Sequence, residues 1–239
     1  MEIVQANVNA MKIVKNNEEA DSYLRWNPTS STVAYFPLTE DFNDKITWNW
    51  PTTSSWTITF TTVDWVKCSS CPSWSVKRWY NNRNFSTWNN VSTWSFWCKK
   101  NSYSHEWQVM ITTWYWATTR AKSMWFHNNQ FWTWWWTNDF YVWDAKIWER
   151  ALYTWTFDWS TTRWYINWQL INSKAMTYSV DSNNYSALFS QWVQYPSSSS
   201  DWSWQSLDWY VRDVIIENRV RSDQEILEYY NKMKRYLWI

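Results

Sequence analysis

No glycine occurs anywhere in this chain of 239 residues, and 29 of the residues are tryptophan. Average usage would place about 17 glycines in a chain of this length, at roughly 7%. The absence constrains the fold severely. Turns of types I′, II and II′ need positive φ, which only glycine adopts without steric cost. The tryptophans stand where such turns are expected: Asn49-Trp50-Pro51, Asp64-Trp65, Asp158-Trp159, Asn167-Trp168, Asp201-Trp202 and Asp208-Trp209 are turn contexts, not apolar alternation. With glycine in place of tryptophan these read as Asn-Gly and Asp-Gly, the strongest short hairpin signals. The pattern predicts a gene from a lineage that reads UGA as glycine, written here with UGA as tryptophan. Trp97, Trp155 and Trp164 lie inside strand-like alternation and are expected to be true aromatics. The 23% aromatic content therefore says nothing about a sugar-stacking surface.

The remaining residues describe a β protein. Short runs rich in β-branched and aromatic residues recur between turn residues: 32–37, 57–63, 91–98, 108–113, 139–142, 151–158, 163–167, 185–193 and 210–217. Regular short strands of this kind predict a sandwich or barrel. No long amphipathic helix separates them, which excludes a parallel α/β sheet. One helix is signalled near the C-terminus. Ser222-Asp223-Gln224-Glu225 has the capping-box pattern. Beyond it Ile226, Tyr229, Tyr230, Met233 and Leu237 form an apolar stripe suited to a sheet edge. Residues 1–28 are charged, Asn-rich and helix-permissive up to Trp26-Asn27-Pro28, and read as an N-terminal arm or linker before one domain spanning 29–239. A single all-β domain of that size is ordinary.

Charge excludes several functions. The formal net charge is +1, with Lys and Arg scattered, so no electrostatic footprint for nucleic acid or a membrane surface exists. No run approaches the roughly 18 apolar residues that a membrane span needs. The first ten residues lack the basic and apolar regions of a signal peptide. The expectation is export by another route, a place in a particle, or a truncated start. Cys68-Ser69-Ser70-Cys71 is flanked by Lys67 and Pro72 and reads as a loop. The only histidines, His105 and His127, lack ligand spacing, so a loop disulfide or two idle thiols is expected rather than zinc. Cys98 follows an apolar run and reads as a small buried hydrophobe.

Three segments resemble the LamG-like members of the concanavalin A-like lectin/glucanase superfamily. Phe157-Asp158-Trp159-Ser160, followed by Tyr165-Ile166-Asn167-Trp168, is similar to a family hairpin whose two glycines fall on Trp159 and Trp168. Residues 207–226 resemble the closing strand and short helix, with Trp209 on a third family glycine. Val33 to Leu38, then Asp41-Phe42-Asn43-Asp44, is similar to the first strand and loop. The resemblance implies a two-sheet antiparallel β-sandwich, a concanavalin A-like jelly roll, closed by a short C-terminal helix. Arg212 departs from the family at a position that is usually acidic, Glu217 at one that is often aromatic, and Arg221 at one where Leu anchors the helix.

Glycosidases of that superfamily carry paired carboxylates on one strand, about 5 Å apart for a retaining mechanism. Neither Glu106 nor Glu149 has such a partner in sequence, and no Ser/His/Asp set is suggested. The chain is therefore expected not to be an enzyme. Calcium is the expected ion, since it favours flexible oxygen-rich loops. Asp41, Asn43 and Asp44 are the candidate ligands, with Asp139 and Asp208 behind them; Asx-turn capping is the competing reading of the same residues. Loops carry function on a rigid sandwich, so Asn81, Asn82 and Asn84, with Asn183, Asn184 and Tyr185, are the candidate ligand contacts, and 197–201 is a further polar loop. The expected function is a non-catalytic module binding carbohydrate or a surface protein, at a cell surface or on a virion. A structural or spacer role in a phage or surface particle is the alternative, and glycoside hydrolysis the third.

Overall fold

A computed structural model describes residues 28–40, 44–46, 53–55, 59–64, 66–71, 78–81, 90–101, 108–113, 122–127, 130–133, 140–143, 146, 148–178, 186–188 and 209–237. The predicted arm lies outside the described residues, apart from Pro28. Fifteen strands follow in chain order: β1 (Thr32–Phe36), β2 (Thr53–Ser55), β3 (Thr59–Val63), β4 (Val66–Cys71), β5 (Arg78–Asn81), β6 (Ser92–Lys100), β7 (Gln108–Thr113), β8 (Lys122–His127), β9 (Gln130–Thr133), β10 (Phe140–Trp143), β11 (Arg150–Phe157), β12 (Thr161–Ile166), β13 (Gln169–Ala175), β14 (Ser186–Leu188) and β15 (Trp209–Glu217). A helix, α1 (Asp223–Leu237), ends the fold. Each predicted run carries a strand.

The strands form two antiparallel sheets. The back sheet runs β13-β12-β11-β6-β15-β4-β3, with β1 also beside β15. The front sheet runs β10-β9-β8-β7-β14-β5-β2. Their facing sides meet in one core, as alternation along each strand requires. Phe96 and Tyr153 of the back sheet stack at 5.5 Å, and Phe126 of the front sheet stands edge-on to Tyr153 at 4.9 Å. Phe131 meets Trp164 at 4.2 Å, and Phe126 meets Trp209 at 5.4 Å. Such ring pairs contribute about 0.5–1.5 kcal/mol each beyond their buried area.

Turn chemistry follows the dipeptides at 64, 158 and 167. Trp209 of the expected Asp208-Trp209 turn is instead a buried strand residue of β15. Asn49-Trp50 and Asp201-Trp202 lie outside the described residues. Val63 pairs with Val66 and Ile166 with Gln169, so Asp64-Trp65 and Asn167-Trp168 are two-residue hairpin loops. Their first residues, Asp64 (φ 49°) and Asn167 (φ 62°), are left-handed, as these short loops demand. Asn167 is also tied to β11, donating its amide to the Leu152 carbonyl at 2.6 Å and accepting the Leu152 amide at 3.1 Å. Between β11 and β12 the Asp158 carboxylate accepts the amides of Ser160 (3.2 Å) and Thr161 (2.9 Å). This turn forces Trp159 to φ 79°, with 57% of the residue exposed, and Trp148 likewise sits at φ 67° and 62% exposed.

The helix packs on the outer face of the back sheet rather than on its edge. Its capping box forms as the residues predict: the Glu225 amide donates to Ser222 Oγ at 3.2 Å, and the Ser222 amide donates to Glu225 Oε2 at 2.8 Å. Tyr229, Tyr230 and Met233 then bury against Tyr35, Trp97, Leu152 and Ile215, with Tyr230 stacked on Trp97 at 6.0 Å.

The three charged residues Arg212, Glu217 and Arg221, all buried, are paired in the fold. Glu217 and Arg221, both fully buried, form an ion pair through Arg221 Nε and Glu217 Oε2. Arg219 reaches the other oxygen of Glu217 at 3.4 Å, so the three charges together tie the connection before the helix to the last strand. Arg212 donates to Asp213 at 2.8 Å, and Tyr35 donates its hydroxyl to the same carboxylate at 2.8 Å. Asp213 (φ 50°) occupies the register break where β15 changes its neighbour from β4 to β1, and its amide donates to the Pro37 carbonyl at 3.1 Å.

A buried lysine marks one end of the core. Lys122 Nζ lies 5.0 Å from the centroid of Phe157, 5.4 Å from Tyr178 and 5.5 Å from Trp155, and donates to Asn90 O and Ser92 Oγ at 3.3 Å each. Burial drives its pKa down to about 7. Between roughly pH 7 and the ordinary lysine value the unfolded chain binds more protons than the fold, so stability rises with pH across that window and flattens below it. Urea unfolding at steps from pH 6 to 9.5 is expected to show that rise, and Lys122→Met is expected to remove it while raising stability at pH 7. An unchanged slope in the variant would refute the assignment.

Cys68-Ser69-Ser70-Cys71 lies in β4, not in a loop. Cys68 is a free buried thiol, so the expected local disulfide does not form. Burial pushes its pKa up to about 11. Cys98 is buried in the core, as its context predicts.

Candidate binding surface

The helix α1 closes the outer face of the back sheet. On the outer face of the front sheet Ser123, Trp125 and Gln130 are buried as well, so among the described residues that face reaches solvent at its β9–β10 end. The side chains reaching it follow from alternation. Phe131, Phe140 and Val142 point into the core, which turns Trp132 and Tyr141 outward. Tyr141 and Trp132 are direct partners in the β10–β9 register, and their rings stack at 4.5 Å with planes 29° apart. Tyr141 keeps 38% of its surface exposed. Beside them His127 meets Trp132 edge-on at 6.3 Å, and Trp132 Nε1 donates to Gln130 Oε1 at 2.9 Å. His127 pairs with Gln130 across the strands, so an imidazole and a carboxamide flank two aromatic rings. Flat apolar rings beside groups that donate and accept hydrogen bonds match a ligand whose faces are C–H and whose edges are hydroxyl.

The predicted ligand contacts border the same sheet. Asn81 ends β5 and pairs with Ser186, the first residue of β14. The segments carrying Asn82 and Asn84, and Asn183, Asn184 and Tyr185, adjoin these paired ends; those five residues lie outside the described residues. Of the predicted metal ligands, Asp44 alone is among the described residues. Asp44 is buried, and its Oδ1 accepts the amides of Tyr35 and Ile46 at 3.0 Å each, which is the turn-capping role. Asp41 and Asn43 lie outside the described residues, as do Asp139 and Asp208. Among the described residues no group of three His, Cys, Asp or Glu side chains is placed to hold a metal ion.

Tyr141, Trp132, His127 and Gln130 escaped the sequence reading. Residues 139–142 are legible as a strand, but which aromatics face outward depends on the register of β8 and β9 with β10. Among the described residues no helix is long and apolar enough to cross a membrane.

No family model and no curated protein matches this chain. Solved structures do. Domain 4 of AbnA, a GH43 extracellular arabinanase from Geobacillus stearothermophilus, solved in complex with arabinotriose, aligns with a TM-score of 0.64 at 14% identity over 84% of this chain and 98% of that one. The binding domain of botulinum neurotoxin DC, in complex with SialylT, aligns with a TM-score of 0.62 at 12% identity, over 85% of this chain and 52% of the toxin domain. The receptor binding domain of the botulinum neurotoxin C/D mosaic serotype gives 0.61 at 13%, over 84% and 51%. The chain thus spans about half the length of the toxin domains and nearly all of the arabinanase domain. At these identities the likeness is one of fold: this chain is a two-sheet antiparallel β-sandwich of the architecture those binding domains share.

Proposed function

We propose that this chain is a non-catalytic carbohydrate-binding or adhesion module, of LamG-like, concanavalin A-like kind, working outside the cell or on a virion. The observation that carries the reading is the exposed ring of Tyr141 on the outer side of the front sheet, stacked on Trp132, which His127 meets edge-on. The arabinotriose and SialylT complexes of domains with this architecture support a sugar as the ligand class. The asparagine-rich segments at the paired ends of β5 and β14 would extend the contact. Calcium at Asp41, Asn43 and Asp44 would brace the rim.

The test is titration against arabino-oligosaccharides and sialylated glycans, with and without calcium. Tyr141→Ala is expected to weaken binding by about tenfold or more, the effect of losing roughly 1–3 kcal/mol of ring contact. Binding that is unchanged in Tyr141→Ala would move the site elsewhere. Chelation that leaves affinity intact would dispose of the calcium role.

The same proposal covers the residue alphabet. The left-handed, solvent-exposed backbone at Trp148 and Trp159 supports glycine at those codons. Trp209, which falls on a family glycine, is fully buried against Phe126 instead. Of the three tryptophans on family glycines, Trp159 alone has positive φ among the described residues, so neither burial nor φ sorts them. UGG codons at 159, 168 and 209 in the gene would end the reassignment.

A further inference from the structure

A cavity of about 250 Å³ opens between the β15–α1 connection and one face of the helix, lined by Arg219, Arg221, Glu225, Glu228, Tyr229 and Lys232. Its helical members recur at 225, 228, 229 and 232, one stripe along α1, and Arg219 and Arg221 close it from the connection. We propose that this cavity is a second carbohydrate subsite, one that takes a single neutral sugar ring. The inference rests on the carbohydrate reading above but not on the front-sheet surface, and none of its residues is a tryptophan.

Size and charge point to that occupant. Pockets for larger organic ligands run to roughly 300–1,000 Å³, so this one holds a single ring and not an oligosaccharide. The lining carries three cations and two carboxylates, and Glu217 stands behind Arg219 and Arg221. A phosphate or carboxylate would meet Glu225 and Glu228, and an organic cation would meet Arg219 and Lys232. A diol meets no such conflict, because each hydroxyl both donates and accepts. Tyr229 is buried beneath the lining, with the Arg221 guanidinium over its ring at 5.3 Å, so the contacts offered to the sugar are polar.

The polar groups are also fixed in advance. Arg219 reaches Glu217 Oε1 at 3.4 Å and pairs with Glu225, which is itself bonded to the Ser222 amide. Glu228 accepts from Gln224 at 2.8 Å. Groups already locked in place lose little freedom when a ligand arrives, which favours weak but selective capture of a small polyol.

The experiment is a ¹⁵N–¹H titration of the full chain with glucose, galactose and arabinose, and with inorganic phosphate for comparison. The neutral sugars are expected to shift the amides of residues 219–232. Glu228→Ala and Lys232→Ala, both near the helix surface, are each expected to weaken that binding by at least fivefold without lowering the melting temperature, while Tyr141→Ala leaves it unchanged. Sugar shifts at 219–232 that persist in both helix variants overturn the proposal, as does phosphate binding more tightly than any sugar. Shifts confined to 127–141 overturn the subsite and leave the carbohydrate reading intact. No shift anywhere with any sugar overturns both.

Discussion

Replacing Trp164 with glycine is expected to unfold the sandwich, whereas replacing Trp159 with glycine is expected to stabilise it by about 1 kcal/mol. The two sites differ in what the indole touches and in what the backbone must do. Trp164 is fully buried, its ring 4.2 Å from Phe131 and 6.4 Å from Trp155, in the layer between the sheets. Truncating a buried Trp costs about 3–5 kcal/mol, and glycine in a strand adds roughly 0.5–1 kcal/mol of backbone entropy. That sum consumes a large part of an ordinary domain's stability of about 5–15 kcal/mol.

Trp159 reverses every term. Its indole is mostly in solvent, and its φ of 79° places Cβ in a region that costs an L-residue about 1–2 kcal/mol. Glycine removes that strain and returns only part of it as entropy. Urea midpoints of the two variants beside the parent chain measure both effects. A Trp159→Gly variant less stable than the parent would show that the indole has a role the turn does not reveal. A third variant, Trp164→Phe, refines the first result. The indole N–H groups of Trp94 and Trp164 are buried without a hydrogen-bond acceptor among the described residues. Phenylalanine removes a donor that costs about 1–3 kcal/mol to bury unsatisfied, so Trp164→Phe is expected to be far milder than Trp164→Gly.

Arg221→Met alone is expected to destabilise the chain by about 3–5 kcal/mol, while the double variant Glu217→Leu/Arg221→Met is expected to restore most of that loss. Glu217 and Arg221 are fully buried partners. Desolvating two charges is offset only by their mutual attraction and added hydrogen bonds, so removing one partner strands the other. Replacing both with apolar residues removes the desolvation cost along with the attraction, and is often neutral. Arg219 remains the complication, since it also reaches Glu217 and would then hold Glu225 alone. The measurement is a double-mutant cycle in urea. Two additive losses would mean that the pair does not act as a unit.

These positions show how far a sequence carries the argument. The central strands of the back sheet were legible because they are long and buried on both faces; β6, β11 and β15 run for eight or nine residues each. The capping box was legible down to its atoms, because the bonds that make it span only three residues. The hairpin loops at Asp64 and Asn167 were legible for the same reason: two-residue loops are chosen by local φ preference. By contrast β13, exposed on both faces at the sheet edge, has no burial alternation to reveal it. Cys68 was misplaced in a loop because Ser and Cys carry little strand signal, and β4 is held as a strand by its pairing with β3 and β15.

The sequence by itself determined the class of fold, the C-terminal helix and the positions of the turns, because those depend on local periodicity and backbone preference. Only the tertiary structure decided that the helix lies on the back sheet, and that Tyr141 stacks on Trp132 at the solvent-facing end of the front sheet. Only it showed that the two odd charges, Glu217 and Arg221, cancel one another. The physical reason is shared. Burial of a charge, and the outward turn of a ring, depend on which distant strands pair and in what register, and that pairing is set by the whole core at once.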